Sequence, residues 1–123
     1  MNAVHKRPLI WVIDDSPTIR KIVALALSRE AGEVIEYAEP LQVLRDVRWG
    51  QYPLPDVVLV DLLLPRMSGY RLIQFLRSRK PMDQMAILVI TRLDGIFPKL
   101  MARLAGANAH LPNHSLPNNF LPW

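Results

Sequence analysis

Three carboxylates stand where this chain could do chemistry. Asp61 ends the apolar run Val57-Val58-Leu59-Val60, and Asp14-Asp15 ends a second run, Leu9-Ile10-Trp11-Val12-Ile13. Consecutive apolar residues without alternation fit strands buried on both faces, as in a parallel sheet. An ionised carboxylate cannot sit unpaired inside such a strand. The acids therefore belong at the C-terminal strand ends, where an open α/β sheet has its crevice. Either acid alone also reads as the first residue of a solvated loop, but two such strands form a rarer pattern. If the strands are neighbours, the carboxylates converge, and two unit charges about 5 Å apart repel by roughly 3 kcal/mol at an effective dielectric of about 20. A hard divalent cation with oxygen ligands relieves that repulsion, and Mg²⁺ is favoured if a phosphate completes its shell.

The elements that must position these acids follow in order. Ser16 is a good N-cap and Pro17 suits a first helical turn. Ile19, Ile22, Val23, Ala26 and Leu27 then recur at helical spacing, and Gly32 is expected to close the helix in a left-handed conformation. Residues 33–37 read as a second strand, with Val34 and Ile35 inward. Pro40 opens a second helix carrying Leu41, Leu44 and Val47, and the stretch 49–55 is a connector with turn residues. After Asp61, Pro65 and Gly69 shape a loop into a third helix with Leu72, Ile73 and Leu76 as its stripe and Phe75 and Tyr70 at its sides. Ala86 to Ile90 forms a fourth strand ending at Thr91. A fourth helix runs over about 96–105 with Phe97, Leu100, Met101 and Leu104 at helical spacing, and Gly106 stops it. Ala109-His110-Leu111 is a short fifth strand. Strands alternating with helices argue a doubly wound parallel sheet. Right-handed crossovers then bring Asp14, Asp15, Asp61 and Thr91 to one rim.

The acidic pair, Asp61 followed by Leu64-Pro65-x-Met67-x-Gly69, and the strand-terminal Thr91 together resemble the receiver domain of bacterial two-component response regulators. The resemblance runs from about Pro8 to Leu111. It implies a flavodoxin-like five-stranded parallel sheet in the order 2-1-3-4-5. It also implies a cytoplasmic signalling domain, not an enzyme in the ordinary sense. Asp61 would take a phosphoryl group from a histidine kinase or phosphotransfer protein, and the charge change would alter binding to a downstream protein target. Asp14, Asp15, Asp61 and the backbone carbonyl of Leu63 match the family's Mg²⁺ ligands, and Thr91 matches its phosphoryl-binding hydroxyl.

Two departures stand beside these matches. The family's usual Lys after the fifth strand aligns with Asn113, and the Pro that often follows it aligns with His114. Asn113 brings no charge, so Arg92, next to Thr91, is the candidate compensating cation, with Lys99 a weaker one. His110 takes the place of an aromatic that many receivers carry. The second departure is the family's fifth helix. Residues 112–123 have Pro112, Pro117 and Pro122, no charged side chain and no helical stripe, and are expected as an extended Pro-rich tail after a domain over 1–111. Baring about 400 Å² of apolar sheet face costs about 10 kcal/mol at ~25 cal/mol/Å², so that face is expected to be covered by the tail or by a homodimer partner. These departures keep open a second reading, an interaction module with the receiver fold that no longer switches by phosphate.

Composition agrees with one soluble domain. The chain has 123 residues, half of them apolar and about a fifth charged. It has no Cys, which excludes disulfides and Cys-ligated metals. Residues 1–7 are basic, but the apolar run after them is too short for a signal peptide, and no stretch approaches the ~20 apolar residues of a membrane span. The net charge of +4 is read as a basic solvated surface, because no motif for direct nucleic-acid binding accompanies it. The chain carries no Gly-rich phosphate loop after the first strand, which argues against a nucleotide-binding flavodoxin relative.

Overall fold

The computed structural model describes residues 7–30, 32–50, 53–80, 82–93 and 95–112. The elements are β1 (Leu9–Ile13), α1 (Pro17–Glu30), β2 (Glu33–Tyr37), α2 (Pro40–Trp49), β3 (Val57–Val60), α3 (Gly69–Arg77), β4 (Ala86–Thr91), α4 (Ile96–Ala105) and β5 (Ala109–Pro112). The sheet is parallel throughout, in the order β2-β1-β3-β4-β5. Both the doubly wound class and the strand order agree with the expectation.

Strand alternation sorts the core into two layers. Trp11 and Ile13 of β1, Val58 and Val60 of β3 and Ile87 and Val89 of β4 pack with Val43 of α2, Leu72, Ile73 and Leu76 of α3 and Ala102 of α4. Ile10, Val12, Leu59 and Ile90 turn the other way and pack on Val23 of α1. Within the described residues α1 is the one helix on that second face, and residues 113–123, where a fifth helix or the expected tail falls, lie outside them.

Local chemistry sets the element ends. The Ser16 hydroxyl accepts the Ile19 N–H at 3.3 Å, as an N-cap should. Ser68 caps α3 in the same way through the Arg71 N–H at 3.3 Å. Gly50 and Gly106 end α2 and α4 at φ 64° and 122°. Gly32, by contrast, is not in the left-handed region expected of it. Its missing side chain serves packing, since a Cβ there would collide with the Pro8 backbone.

Three further differences concern faces and boundaries. In α2 the fully buried residue is Val43, whereas Leu41 is exposed. In α4 the expected apolar stripe faces outward: Phe97 and Leu104 are 70% and 71% exposed, while Ala102 is fully buried. Small side chains let α4 sit close to the sheet, and periodicity alone cannot tell which apolar face is turned inward. A 3-10 turn, Met82–Gln84, precedes β4, and β5 extends to Pro112, which pairs with Thr91. No helix among the described residues is long and apolar enough to cross a membrane.

The edge of the sheet where strands begin is tied by side chains. Asp56 Oδ2 accepts the Leu9 N–H at 2.8 Å. Arg77, at the end of α3, donates to the Gly106 carbonyl at 2.8 Å, the Met85 carbonyl at 2.5 Å and Asn108 Oδ1 at 2.6 Å. Asn108 Oδ1 also accepts the Ile87 N–H at 2.7 Å. One guanidinium thus joins α3, the approach to β4 and the α4–β5 turn. Arg77→Met is expected to lower stability by about 2–3 kcal/mol, because it leaves these acceptors without their charged donor. Urea unfolding of the two proteins measures the difference, and a loss below about 0.5 kcal/mol contradicts the role.

Candidate metal centre

The ladder between β1 and β3 brings the acids together. Ile13 and Val60 are register partners, and the Asp61 N–H continues the ladder by donating to the Ile13 carbonyl at 3.0 Å. On the other side the Asp14 N–H donates to the Tyr37 carbonyl at 3.1 Å. Asp14 and Asp61 are therefore fixed by main-chain bonds at the C-terminal edge of the sheet. Asp14, Asp15 and Asp61 each offer a carboxylate oxygen, and these atoms lie within 4.8 Å of one another. Asp14 and Asp61 are buried, at 6% and 7% exposure, and Asp15 is open to solvent.

Burial and crowding both disfavour the charged forms. Burial raises the Asp14 pKa from 3.8 to about 6; a hydrogen bond from the Ser16 N–H opposes the rise, and the charges of Asp61 and Asp15 add to it. That N–H donates to Asp14 Oδ1 at 2.8 Å. Asp61 is raised for the same first reason, with hydrogen bonds from the Leu63 N–H and Thr91 opposing it, Asp15 adding to it and the Arg92 charge opposing it. The Leu63 N–H reaches Asp61 Oδ1 at 3.1 Å. A crowded set of oxygen donors that resists ionisation fits a small hard cation, which removes the repulsion and binds the ionised forms.

The loop after Asp61 is folded tightly back. The Gly69 N–H donates to the Leu62 carbonyl at 3.0 Å. A Cβ on Gly69 would stand 2.7 Å from Leu62 Cα and would also strike the Asp61 carbonyl oxygen. Only glycine permits this approach, and it keeps Leu63 beside Asp61. Thr91 ends β4 on the same rim, 1% exposed, and its hydroxyl accepts the Leu93 N–H at 3.3 Å. Arg92 is exposed and acts on Asp61 through its charge.

The sequence-predicted residues thus divide into three groups. Asp14, Asp15, Asp61, Leu63, Thr91 and Arg92 share one rim. Lys99 and His110 line a separate groove of about 460 Å³ between α4 and β5, where His110 Nε2 has no hydrogen-bond partner among the described residues. Asn113 and His114 lie outside the described residues. Two contributions were not legible. Arg20 donates to the Asp14 carbonyl at 2.7 Å and pairs with Glu36 at 3.4 Å. Its place one turn after the acidic pair was the available signal. Arg66, just after Pro65, pairs with Glu39 across 27 residues of sequence, and nothing local announces that contact.

The raised acids dictate a pH response. Between about pH 4 and pH 6 the folded, metal-free protein holds a proton on Asp14 that the unfolded chain has released. Stability therefore falls as pH rises through that window, by up to about 2–3 kcal/mol. A divalent cation such as Mg²⁺ would favour the ionised form, so adding it is expected to restore the loss at pH 7. Urea midpoints measured from pH 4 to 7, with and without Mg²⁺, check this; a midpoint that rises across the window without metal contradicts it.

Comparison with known proteins agrees with this geometry. Residues 10–119 match the family described as the response regulator receiver domain. PilG of Pseudomonas aeruginosa is 26% identical over 102 residues, covering 83% of this chain and 73% of PilG. NtrC of Escherichia coli is 27% identical over 107 residues, covering 87% of this chain but only 22% of NtrC. Among solved structures, the BeF3-activated DrrB receiver domain superposes with a TM-score of 0.78 at 25% identity, covering 92% of this chain and 88% of DrrB's. The chemotaxis response regulator CheY4 of Vibrio cholerae gives a TM-score of 0.82 at 23% identity, covering 94% and 93%, a likeness of fold.

Proposed function

Because the chain belongs to the family of response regulator receiver domains, we propose that it is a phosphoryl-accepting switch of two-component signalling, with Asp61 as the acceptor. The observation that carries this reading is the gathering of Asp14, Asp15 and Asp61 oxygens within 4.8 Å. Asp14, Asp15, Asp61 and the Leu63 carbonyl would hold Mg²⁺, which supplies charge neutralisation for an incoming phosphoryl group.

The chain's own residues do the rest. The Leu63 N–H holds Asp61 Oδ1 at 3.1 Å and the Thr91 hydroxyl also bonds this carboxylate, so the acceptor is fixed in orientation before transfer. In the transfer, a carboxylate oxygen of Asp61 forms a bond to phosphorus as the phosphorus–nitrogen bond of a kinase phosphohistidine breaks; the departing nitrogen keeps the electron pair, and the ring's other nitrogen carries the proton that lets the imidazole leave neutral. The Thr91 hydroxyl then donates to a phosphoryl oxygen. Arg92 supplies positive charge that the neutral Asn113 does not. Its influence on Asp61 supports this role. The added negative charge shifts a conformational equilibrium and so changes which protein target binds. Upstream, the partner is a histidine kinase or phosphotransfer protein, one that meets the domain in the cytoplasm.

Incubation with acetyl phosphate and Mg²⁺, followed by intact mass measurement, tests the reading. One phosphate is expected on the wild type and none on Asp61→Asn or without Mg²⁺. Arg92→Gln is expected to slow uptake about fivefold, the difference between a charged and a neutral hydrogen-bond donor. A folded wild-type protein that takes up no phosphate overturns the proposal and leaves a phosphate-independent interaction module.

A further inference from the structure

Arg66 is the one non-glycine residue at positive φ among the described residues, at 68°. The Met67 N–H donates to the Pro65 carbonyl at 2.7 Å, so Arg66 is the centre of a three-residue γ-turn in its rarer, strained form. A side chain in that backbone region needs an outside interaction to keep it there. Glu39 provides one. Arg66 Nη1 donates to both Glu39 carboxylate oxygens, at 3.0 and 2.8 Å.

The position of the pair gives it a consequence. Glu39 is the N-cap residue of α2, but its side chain does not cap the helix. It reaches instead from the loop after β2 to the loop after β3. That second loop begins at Asp61, carries the Leu63 N–H against the Asp61 carboxylate, and closes through Gly69 on Leu62. The loop is thus held at both ends by main-chain bonds and at its middle by one ion pair.

We propose that Glu39 and Arg66 form a positioning pair, a latch that holds the β3–α3 loop so that Leu63 stays aligned on Asp61 for metal and phosphoryl binding. This rests on the reading of Asp61 and its neighbours as the phosphoryl site. The pair compensates a backbone strain, so its two residues are coupled in a predictable way. Removing the Glu39 charge leaves Arg66 strained and unsupported. Replacing Arg66 by glycine removes the strain and with it the need for Glu39.

The test compares wild type, Glu39→Gln, Arg66→Gly and the double variant. In metal-free protein, Glu39→Gln is expected to speed amide hydrogen exchange at Leu63 and Met67 while leaving the β1 and β4 amides unchanged. It is expected to weaken Mg²⁺ binding about fivefold, the factor that roughly 1 kcal/mol produces. The double variant is expected to return to within about twofold of wild type in affinity. If Glu39→Gln changes neither loop exchange nor Mg²⁺ affinity, there is no latch. If the double variant is no better than Glu39→Gln, the strain argument fails and the proposal with it. Phosphate uptake by the wild type, measured separately, keeps the two claims apart: uptake with an unaltered Glu39→Gln loop removes the latch alone. Absent uptake with the expected exchange and affinity pattern removes the phosphoryl reading and leaves a latch on the metal site.

Discussion

The interaction on which this structure turns is the repulsion among acids that the sheet forces together. Asp14 and Asp61 cannot relax apart, because each follows its strand directly and each N–H is engaged by a neighbouring strand. Both are buried, and both resist ionisation because of it. The nearby donors relieve only part of the problem. The Ser16 and Leu63 N–H groups each satisfy one carboxylate oxygen. Arg20 gives its hydrogen bond to the Asp14 carbonyl and its ion pair to Glu36, so its charge eases the Asp14 carboxylate least of the causes acting on it. What remains is a demand for positive charge that the backbone itself imposes.

The two edges of the sheet answer opposite requirements. At the edge where strands begin, polar groups find partners: Asp56 with Leu9, and Arg77 with the turns around it. At the edge where strands end, carboxylates face one another. A destabilising rim can be carried because the rest of the sheet is well anchored, with Trp11, Ile13, Val58, Val60, Ile87 and Val89 filling one layer. The local loss at the rim, of order a few kcal/mol, is a large share of a small domain's stability. Strong bonding at the far edge therefore belongs to the same design as the strained, acidic loops.

Much of this was legible in the sequence because it rests on short-range rules. Unbroken apolar runs ending in acids identified β1 and β3, and a strand-to-helix alternation identified the sheet. The stripe Leu72, Ile73 and Leu76 was assigned correctly because α3 has one clearly apolar face. The stripe of α4 was not, because that helix has large apolar residues on one side and small ones on the other, and the sheet took the small ones. Gly32 misled for a related reason: glycine serves both for positive φ and for close approach, and sequence does not say which. The Glu39–Arg66 and Arg77–Asn108 contacts join residues 27 and 31 apart, so they exist only once the elements have packed.

Charge balance gives the phosphoryl reading its sharpest consequence. On that reading, two remaining carboxylates and an acyl phosphate of nearly two negative charges face one divalent cation. About two unit charges then lack compensation within the rim. Arg92 is exposed, so solvent screens the charge it contributes. Asn113, which the resemblance aligns with the family's usual Lys, can donate a hydrogen bond but no charge. If Asp61 takes a phosphoryl group, that state would be held more by geometry than by charge: by the Thr91 hydroxyl, which is buried at the end of β4, and by a β3–α3 loop kept in register with Asp61. With less charge to draw the phosphoryl group in, small losses of loop order would then matter more than in a site with a second cation.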